Sequence, residues 1–124
     1  ARMLLVNVWD ISQTKAVIKA IEAANLGLNP SDDGKVIRLV FPELTEERRK
    51  EFVKEVNKIT ENSKIASRNA RREILDACKK MQKNGDISED DLARIEKEVQ
   101  KILNDNIAEI DKQTSQKEKE LMEV

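Results

Sequence analysis

The first third of the chain combines a short apolar run with one helical pattern. MLLVNVW, residues 3–9, is apolar and partly alternating, which predicts a β-strand. Residues 13–25 then repeat alanine, valine and isoleucine at the 3.6-residue period of an amphipathic helix. Gly27 suits the position just beyond the end of this helix. Trp9 is predicted to pack between the strand and the helix.

A second predicted strand, VIRLVF at residues 36–41, follows a turn at residues 31–35. Pro42 ends this strand because proline cannot extend a β-ladder. Two strands without others make a sheet of marginal stability, and the chain opens almost inside a strand. We therefore expect the chain to be the C-terminal part of a longer protein.

The rest of the chain keeps a helical period to its end. No proline or glycine interrupts residues 45–83, so this segment is predicted to be one helix with Thr45 as its N-cap. At 1.5 Å per residue, such a helix is about 58 Å long. Gly85 follows its end, and Ser88 caps a second predicted helix over residues 88–122. Because the connection is short, the two helices should pack as an antiparallel hairpin.

Each long helix has an apolar stripe that is too wide for a single partner. The positions assigned to the core of the first are Phe52, Val56, Ile59, Ser63, Ala66, Ala70, Ile74, Ala77 and Met81. The second continues the stripe through Leu92, Ile95, Val99, Ile102, Ile107 and Ile110. We expect a further element to cover the remaining apolar surface, either a third helix or a second copy of the chain.

The composition argues against several kinds of chemistry. The chain has no histidine and one cysteine, which leaves no zinc site, no Cys–His pair and no internal disulfide. Nothing is arranged as a nucleophile with its base or as a metal cluster. We therefore expect no catalytic residue, metal, cofactor or small-molecule substrate, and the chain is predicted not to be an enzyme. No apolar run approaches the roughly 20 residues of a membrane span.

The charged residues are segregated along the chain, although the net charge is only −1. Residues 45–85 carry twelve basic and seven acidic side chains, whereas residues 86–124 carry six basic and twelve acidic ones. Within the basic part, the segment SRNARRE places Arg68, Arg71 and Arg72 on one face of the helix. Such segregation is informative about binding partners rather than about fold.

The basic face lies beside the predicted core. At 100° per residue, Arg49, Arg71, Lys64 and Arg68 fall within about 100° of one another. A face of this kind is either solvated and laced with ion pairs or a phosphate-binding surface. Few acidic residues are within reach of the arginines, and arginine suits bidentate phosphate contacts. Double-helical or folded RNA therefore fits this face. The alternative is a coiled-coil adaptor that binds proteins and no RNA.

Six segments, taken in order, resemble the ribosome recycling factor family. They are LLVNVWD (4–10), AIEAANLGLNP (20–30), IRLVFPELTEERRKEF (37–52), RNARRE (68–73), ISEDD (87–91) and KEKELMEV (117–124). The resemblance covers essentially the whole chain. It implies that the family's N-terminal helix and the first part of its inserted small domain are absent here.

The resemblance implies an α+β fold, in which a small β/α/β domain is inserted into a three-helix bundle. Residues 1–42 would be the rear half of the small domain. Residues 43–124 would supply two of the three bundle helices, as a long antiparallel hairpin. Phe41, Pro42 and Glu43 would form part of the hinge between the domains.

The resemblance also implies a function. Family members bind the post-termination ribosome through large-subunit rRNA. With elongation factor G and GTP they promote its splitting into subunits, and they catalyse no bond chemistry themselves. Arg49, Arg68 and Arg71 match the family's rRNA contacts, Arg72 follows the same pattern, and Lys64 lies on the same stripe. The implied location is the bacterial cytoplasm, with an organelle as the alternative. A chain without the first bundle helix should dimerise or bind a partner segment.

Overall fold

The computed structural model describes residues 2–123. The chain divides after Leu44 into two compact units, called here the sheet unit and, from Thr45 onward, the hairpin unit. The elements of the sheet unit are β1 (Met3–Asn7), a 3-10 turn (Ile11–Gln13), α1 (Thr14–Ala23), β2 (Pro30–Asp32) and β3 (Val36–Val40). The hairpin unit consists of α2 (Glu46–Lys83) and α3 (Glu89–Met122).

β3 is the central strand of an antiparallel sheet with the order β1-β3-β2. Leu4 of β1 pairs with Leu39 of β3, and Val6 pairs with Ile37. Directly paired residues of antiparallel strands share a face. Ile37 is fully buried and Leu39 is 5% exposed, so the inner side of β3 is the core of this unit. The α+β class with a long helical hairpin is confirmed.

The segment after β1 differs from the prediction, which continued the strand to residue 9. The Asp10 carboxylate accepts a hydrogen bond from the backbone N–H of Ser12 at 2.9 Å, which begins the 3-10 turn and takes the chain out of the sheet. The side chain of Trp9 is therefore fully exposed, and its predicted packing between strand and helix is wrong. The predicted C-terminal signal of α1 is also wrong, because Asn25 rather than Gly27 follows the C-cap in the left-handed conformation, with φ of 51°.

The short strand β2 was missed because its signals are those of a turn. Pro30 occupies its first position, where a missing N–H is tolerated, and the strand has no apolar alternation. The tight turn into β3 is built by the Asp33 carboxylate, which accepts hydrogen bonds from the backbone N–H groups of Lys35 and Val36. Both hydrogen bonds lower the pKa of Asp33, and the bond from Val36 has the larger effect. Pairing with β3 thus makes a strand of three residues whose local sequence does not predict one.

The ends of the long helices agree with the predicted caps. The Thr45 hydroxyl accepts a hydrogen bond from the backbone N–H of Arg48 at 3.2 Å. α2 ends at Lys83 with Asn84 as its C-cap, the next residue Gly85 has a φ of 80°, and Asp86 N–H donates back to the carbonyl of Met81. Ser88 forms a reciprocal capping box with Asp91 at the start of α3.

The face of α2 that contacts α3 is not the predicted core stripe. Three residues of α2 are hydrogen-bonded to α3: Arg71 donates to Gln100, Ser67 accepts from Asn106, and Thr60 shares a bond with Thr114. They lie on average about 80° around the helix from the middle of the predicted stripe. Thr60 is buried, with its hydroxyl 2.6 Å from that of Thr114. The assignment of the α2 core is therefore corrected. α3 covers the side of α2 next to the apolar stripe, and this side carries hydroxyl and guanidinium groups.

The rest of the apolar stripe stays on one flank of the hairpin. Ile59 is 63% exposed, Ile74 is 48% exposed, and Ile102 of α3 is 67% exposed. A shallow groove of about 300 Å³ runs between the helices on this flank, and Val56 and Ile110 contribute to its lining. The expectation that two helices alone leave apolar surface uncovered is confirmed for the described residues.

Candidate nucleic-acid interface

Arg68, Arg71 and Arg72 lie within about one turn of α2 and are called here the arginine face. Their directions span about 100° of the helix circumference, on the side opposite the apolar flank. Arg68 and Arg72 are exposed. Neither takes part in a hydrogen bond or an ion pair with any residue from 2 to 123. Their guanidinium groups therefore keep all five N–H donors available to an external acceptor.

Arg71 reaches across to α3. Its Nη1 donates a hydrogen bond of 2.7 Å to the side-chain oxygen of Gln100. The side-chain nitrogen of Gln100 in turn donates to Asn104 at 2.9 Å. Nε of Arg71 is buried and has no hydrogen-bond partner among the described residues. An unpaired buried donor costs about 1–3 kcal/mol, so contacts elsewhere in the side chain must hold this guanidinium in place.

The surroundings of Lys64 differ from those of the arginine face. Its ammonium lies 2.6 Å from the Asp111 carboxylate and 3.9 Å from that of Glu61. Only 16% of the Lys64 side chain is exposed. The predicted role of Lys64 in RNA binding stays a prediction, and it would require this ion pair to open.

Arg49 is engaged at the far end of the hairpin. Its Nη1 donates to the backbone carbonyls of Leu121 at 2.7 Å and Glu123 at 2.6 Å. Carbonyl groups at a helix C-terminus lack partners within the helix, and the helix dipole makes a cation favourable there. Arg49 therefore closes the end of α3, in addition to any contact it makes with RNA.

The hinge residues predicted by resemblance lie between β3 and α2. Phe41 N–H donates to the carbonyl of Arg2 at 2.7 Å, which continues the pairing of β1 with β3 by one residue. The Glu43 carboxylate accepts from the Arg2 guanidinium at 2.5 Å, in an ion pair whose side chains are 65% and 77% exposed. Pro42 is exposed. The hinge role of these residues stays a prediction.

The five predicted RNA-contact residues thus fall into two groups. Arg68, Arg71 and Arg72 form a compact basic surface, beside which α3 contributes the uncharged amides of Gln100 and Asn104. Arg49 and Lys64 make contacts between the helices at other levels of the hairpin. Guanidinium groups bind phosphate through paired, charge-assisted hydrogen bonds, so the first group is the candidate interface.

Within residues 2–123, no cluster of three or more acidic or cysteine side chains is arranged to hold a metal ion. No helix in that range is both long enough and apolar enough to cross a membrane.

Comparison with known proteins identifies the family. The family model for ribosome recycling factor matches residues 1–122. The chain is 56% identical to the ribosome-recycling factor of Caldicellulosiruptor saccharolyticus and 52% identical to that of Enterococcus faecalis. Each match covers the whole chain and 67% of the relative, so the chain spans about two thirds of the length of these proteins.

Solved structures agree with the sequence relatives. A solution structure of the ribosome recycling factor matches 99% of this chain and 65% of its own, with 41% identity and a TM-score of 0.62. A second match, at 44% identity, covers 98% of this chain and 66% of its own with a TM-score of 0.55. It belongs to models of the T. thermophilus factor and E. coli elongation factor G bound to the E. coli post-termination complex. From these matches and the fold, this chain belongs to the ribosome recycling factor family, whose members are translation factors and not enzymes.

Proposed function

We propose that this chain acts in ribosome recycling. It binds the post-termination ribosome through large-subunit rRNA and, with elongation factor G and GTP, promotes splitting into subunits. The partners are supported by the related T. thermophilus factor, which is described together with elongation factor G on a post-termination complex. A cytoplasmic site of action is supported by the bacterial sources of the curated relatives.

One observation carries the RNA part of this proposal. Arg68 and Arg72 are exposed and unpaired among residues 2–123, beside an Arg71 that is held by an uncharged partner. Three guanidinium groups within about one helical turn, none of them bound to a carboxylate of residues 2–123, favour a polyanion. The affinity should then come from phosphate contacts and fall steeply with salt.

The proposed mechanism is mechanical. The arginine face anchors α2 to rRNA, and the long helices carry force. α2 has 38 residues and α3 has 34, so each helix is longer than about 50 Å. The sheet unit acts as the lever on which elongation factor G pushes, about a hinge at Phe41, Pro42 and Glu43. The proposed domain boundaries follow the family pattern, with residues 1–42 as the small domain and 43–124 as the bundle domain.

The exposed apolar flank of the hairpin requires a partner. We propose that another helix covers it, supplied by a second copy of the chain or by a further segment of the protein. The support is the exposure of Ile59, Ile74 and Ile102 on one side of the hairpin. Sedimentation velocity of this chain should find a dimer or larger species, whereas a compact, stable monomer would count against this part of the proposal.

The RNA-anchoring proposal is tested by co-sedimentation with bacterial 50S subunits and by a splitting assay on post-termination 70S complexes with elongation factor G and GTP. Replacing Arg68 and Arg71 together by alanine should weaken 50S binding by about a hundredfold or more, since each charge-assisted hydrogen bond contributes about 1.5–3 kcal/mol. Circular dichroism should show that the helices remain folded.

A matched control removes two arginines elsewhere. Arg48 and Arg94 are both exposed and each pairs with an acid three residues away. Their joint replacement by alanine should leave 50S affinity within about threefold of wild type, since neither lies on the arginine face. Equal losses for both double variants would exclude a localised RNA site. Absence of any 50S binding would favour the protein-binding adaptor.

A further inference from the structure

The amide of Gln100 has a defined orientation in the hairpin. Its oxygen accepts from Arg71 Nη1 at 2.7 Å, and its nitrogen donates to Asn104 at 2.9 Å. Because an amide has one acceptor end and one donor end, the bond to Asn104 turns the oxygen toward Arg71. Asn104 therefore orients the Gln100 amide, and that amide holds the Arg71 guanidinium of α2.

We propose that Gln100 is a positioning residue for RNA binding, which holds the Arg71 guanidinium at the edge of the arginine face with its charge intact. The inference rests on the proposed function, in which that face binds rRNA phosphates. Asn104 supports it by fixing the orientation of the Gln100 amide. Neither residue was identified from the sequence as part of the site.

Gln100, the partner of Arg71, is uncharged. An arginine held by a carboxylate has its charge offset, and its donors are directed toward that acid. The chain uses such a partner at Lys64, whose ammonium is 2.6 Å from Asp111. At Arg71 the partner is an amide, which accepts one hydrogen bond and leaves the full positive charge available.

The burial of Arg71 Nε supports the positioning role of Gln100. This atom has no hydrogen-bond partner among residues 2–123, so the guanidinium is oriented by its Nη1 bond to Gln100. Removing the Gln100 acceptor would free the group to rotate. A pre-oriented donor loses less entropy when it binds phosphate than a freely rotating one does.

The decisive variant is Gln100→Glu, which keeps the size and reach of the side chain but supplies a carboxylate. Glutamate should hold Arg71 more firmly, so thermal stability should be unchanged or raised. Binding to purified bacterial 50S subunits should nevertheless weaken about tenfold. The slope of log affinity against log salt should also become shallower by about 0.7–0.9, the value for one phosphate contact. If Gln100 had only a structural role, 50S affinity would fall only in variants that also lose thermal stability.

The charge-matched control is Asn62→Asp. Asn62 is exposed on α2, nine residues before Arg71 and about 180° from it around the helix. The same added negative charge at that position should change 50S affinity by less than about twofold, since exposed charges beyond a Debye length of about 8–10 Å are largely screened. An effect equal to that of Gln100→Glu would overturn the inference, because the loss would then reflect net charge alone.

A double-mutant cycle separates positioning from direct contact. Gln100→Ala should weaken 50S binding about threefold when Arg71 is present and should have no effect in an Arg71→Ala background. Equal losses in both backgrounds would overturn the inference. Arg68→Ala reports on the proposed function itself. If Arg68→Ala weakens binding while the Gln100 variants behave like wild type, only the inference fails. If Arg68→Ala has no effect either, the proposed function fails and the inference with it.

Discussion

Replacing Arg49 by alanine should destabilise the hairpin unit far more than an ordinary surface substitution does. Nη1 of Arg49 donates to the carbonyls of Leu121 and Glu123, which lie in the last turn of α3 and at its C-cap. These two bonds join the N-terminal end of α2 to the C-terminal end of α3. Without them, the last turn of α3 should fray from the hairpin.

The magnitude follows from the burial of the two acceptors. A hydrogen bond from a charged donor contributes about 1.5–3 kcal/mol. The bond to Leu121 is partly buried, while the bond to Glu123 is exposed, so water replaces the second at little cost. Adding about 0.5 kcal/mol for the cation at the helix C-terminus, we expect a loss of about 2–3.5 kcal/mol.

Urea unfolding followed by circular dichroism at the helix wavelength measures this loss. α2 and α3 contain 38 and 34 residues and α1 only 10, so the signal reports mainly on the hairpin unit. For a urea slope of about 1.5 kcal/mol/M, the unfolding midpoint should fall by about 1.3–2.3 M.

Lys50→Ala is the matched control for Arg49→Ala. Lys50 is the next residue, and its side chain is 62% exposed in a surface pair with Glu46. Such pairs contribute about 0.3–0.5 kcal/mol. If the two variants unfold within about 0.5 kcal/mol of each other, the capping role of Arg49 is refuted. Normal stability with weakened 50S binding would instead identify Arg49 as an RNA contact only.

Three further substitutions test the packing and the caps. Ile37→Ala removes a fully buried side chain and should cost about 2–5 kcal/mol, measured as loss of hydrogen-exchange protection at the β3 amides. Thr60→Ala should lower the free energy of unfolding in urea by about 1–2 kcal/mol. Thr60→Val with Thr114→Val should stay within about 1 kcal/mol of wild type, because both partners of the 2.6 Å contact are then replaced by apolar groups of similar shape. Hydrogen bonds from the Ser88 side chain and then from its backbone N–H hold the pKa of Asp91 below its ordinary value of 3.8. The folded value is the lower one, so this stabilisation is present at neutral pH and is lost as the pH falls through it. Asp91→Asn should therefore flatten the loss of thermal stability between about pH 5 and pH 2.

The features that the sequence predicts well are those set by neighbouring residues. The caps of α2 and α3 depend on Thr45 and Ser88 and on side chains or N–H groups within three positions. The end of α2 depends on Gly85, which can adopt a positive φ without strain. Local chemistry of this kind is present in the sequence itself.

The features that the sequence does not predict are set by distant partners. The apolar stripe of α2 is wide, and periodicity alone does not say which edge α3 covers. The covered edge carries Thr60 and Ser67 rather than Ile59 and Ile74. β2 exists only through its pairing with β3, and Trp9 leaves the sheet because Asp10 starts a turn.

The candidate site was predicted in part. The spacing of Arg68, Arg71 and Arg72 places them on one face without any structure. The partner of Arg71 on α3 could have been found by pairing residues equidistant from the 84–88 connection, which sets Arg71 opposite the region of Gln100. The difference between an amide partner at Arg71 and a carboxylate partner at Lys64 needed atomic positions.

Anchoring of this chain to ribosomal RNA is proposed to depend on exposed arginines of α2. Its most direct test is the affinity for purified 50S subunits across a salt series, for wild type and for Arg68→Ala with Arg72→Ala. Both side chains are exposed and unpaired among residues 2–123, so their removal should not alter folding. Wild-type affinity should decline steeply with salt, and the slope should be shallower by about 1.4–1.8 in the variant, the value for two phosphate contacts. Identical slopes for the two proteins would contradict this proposal.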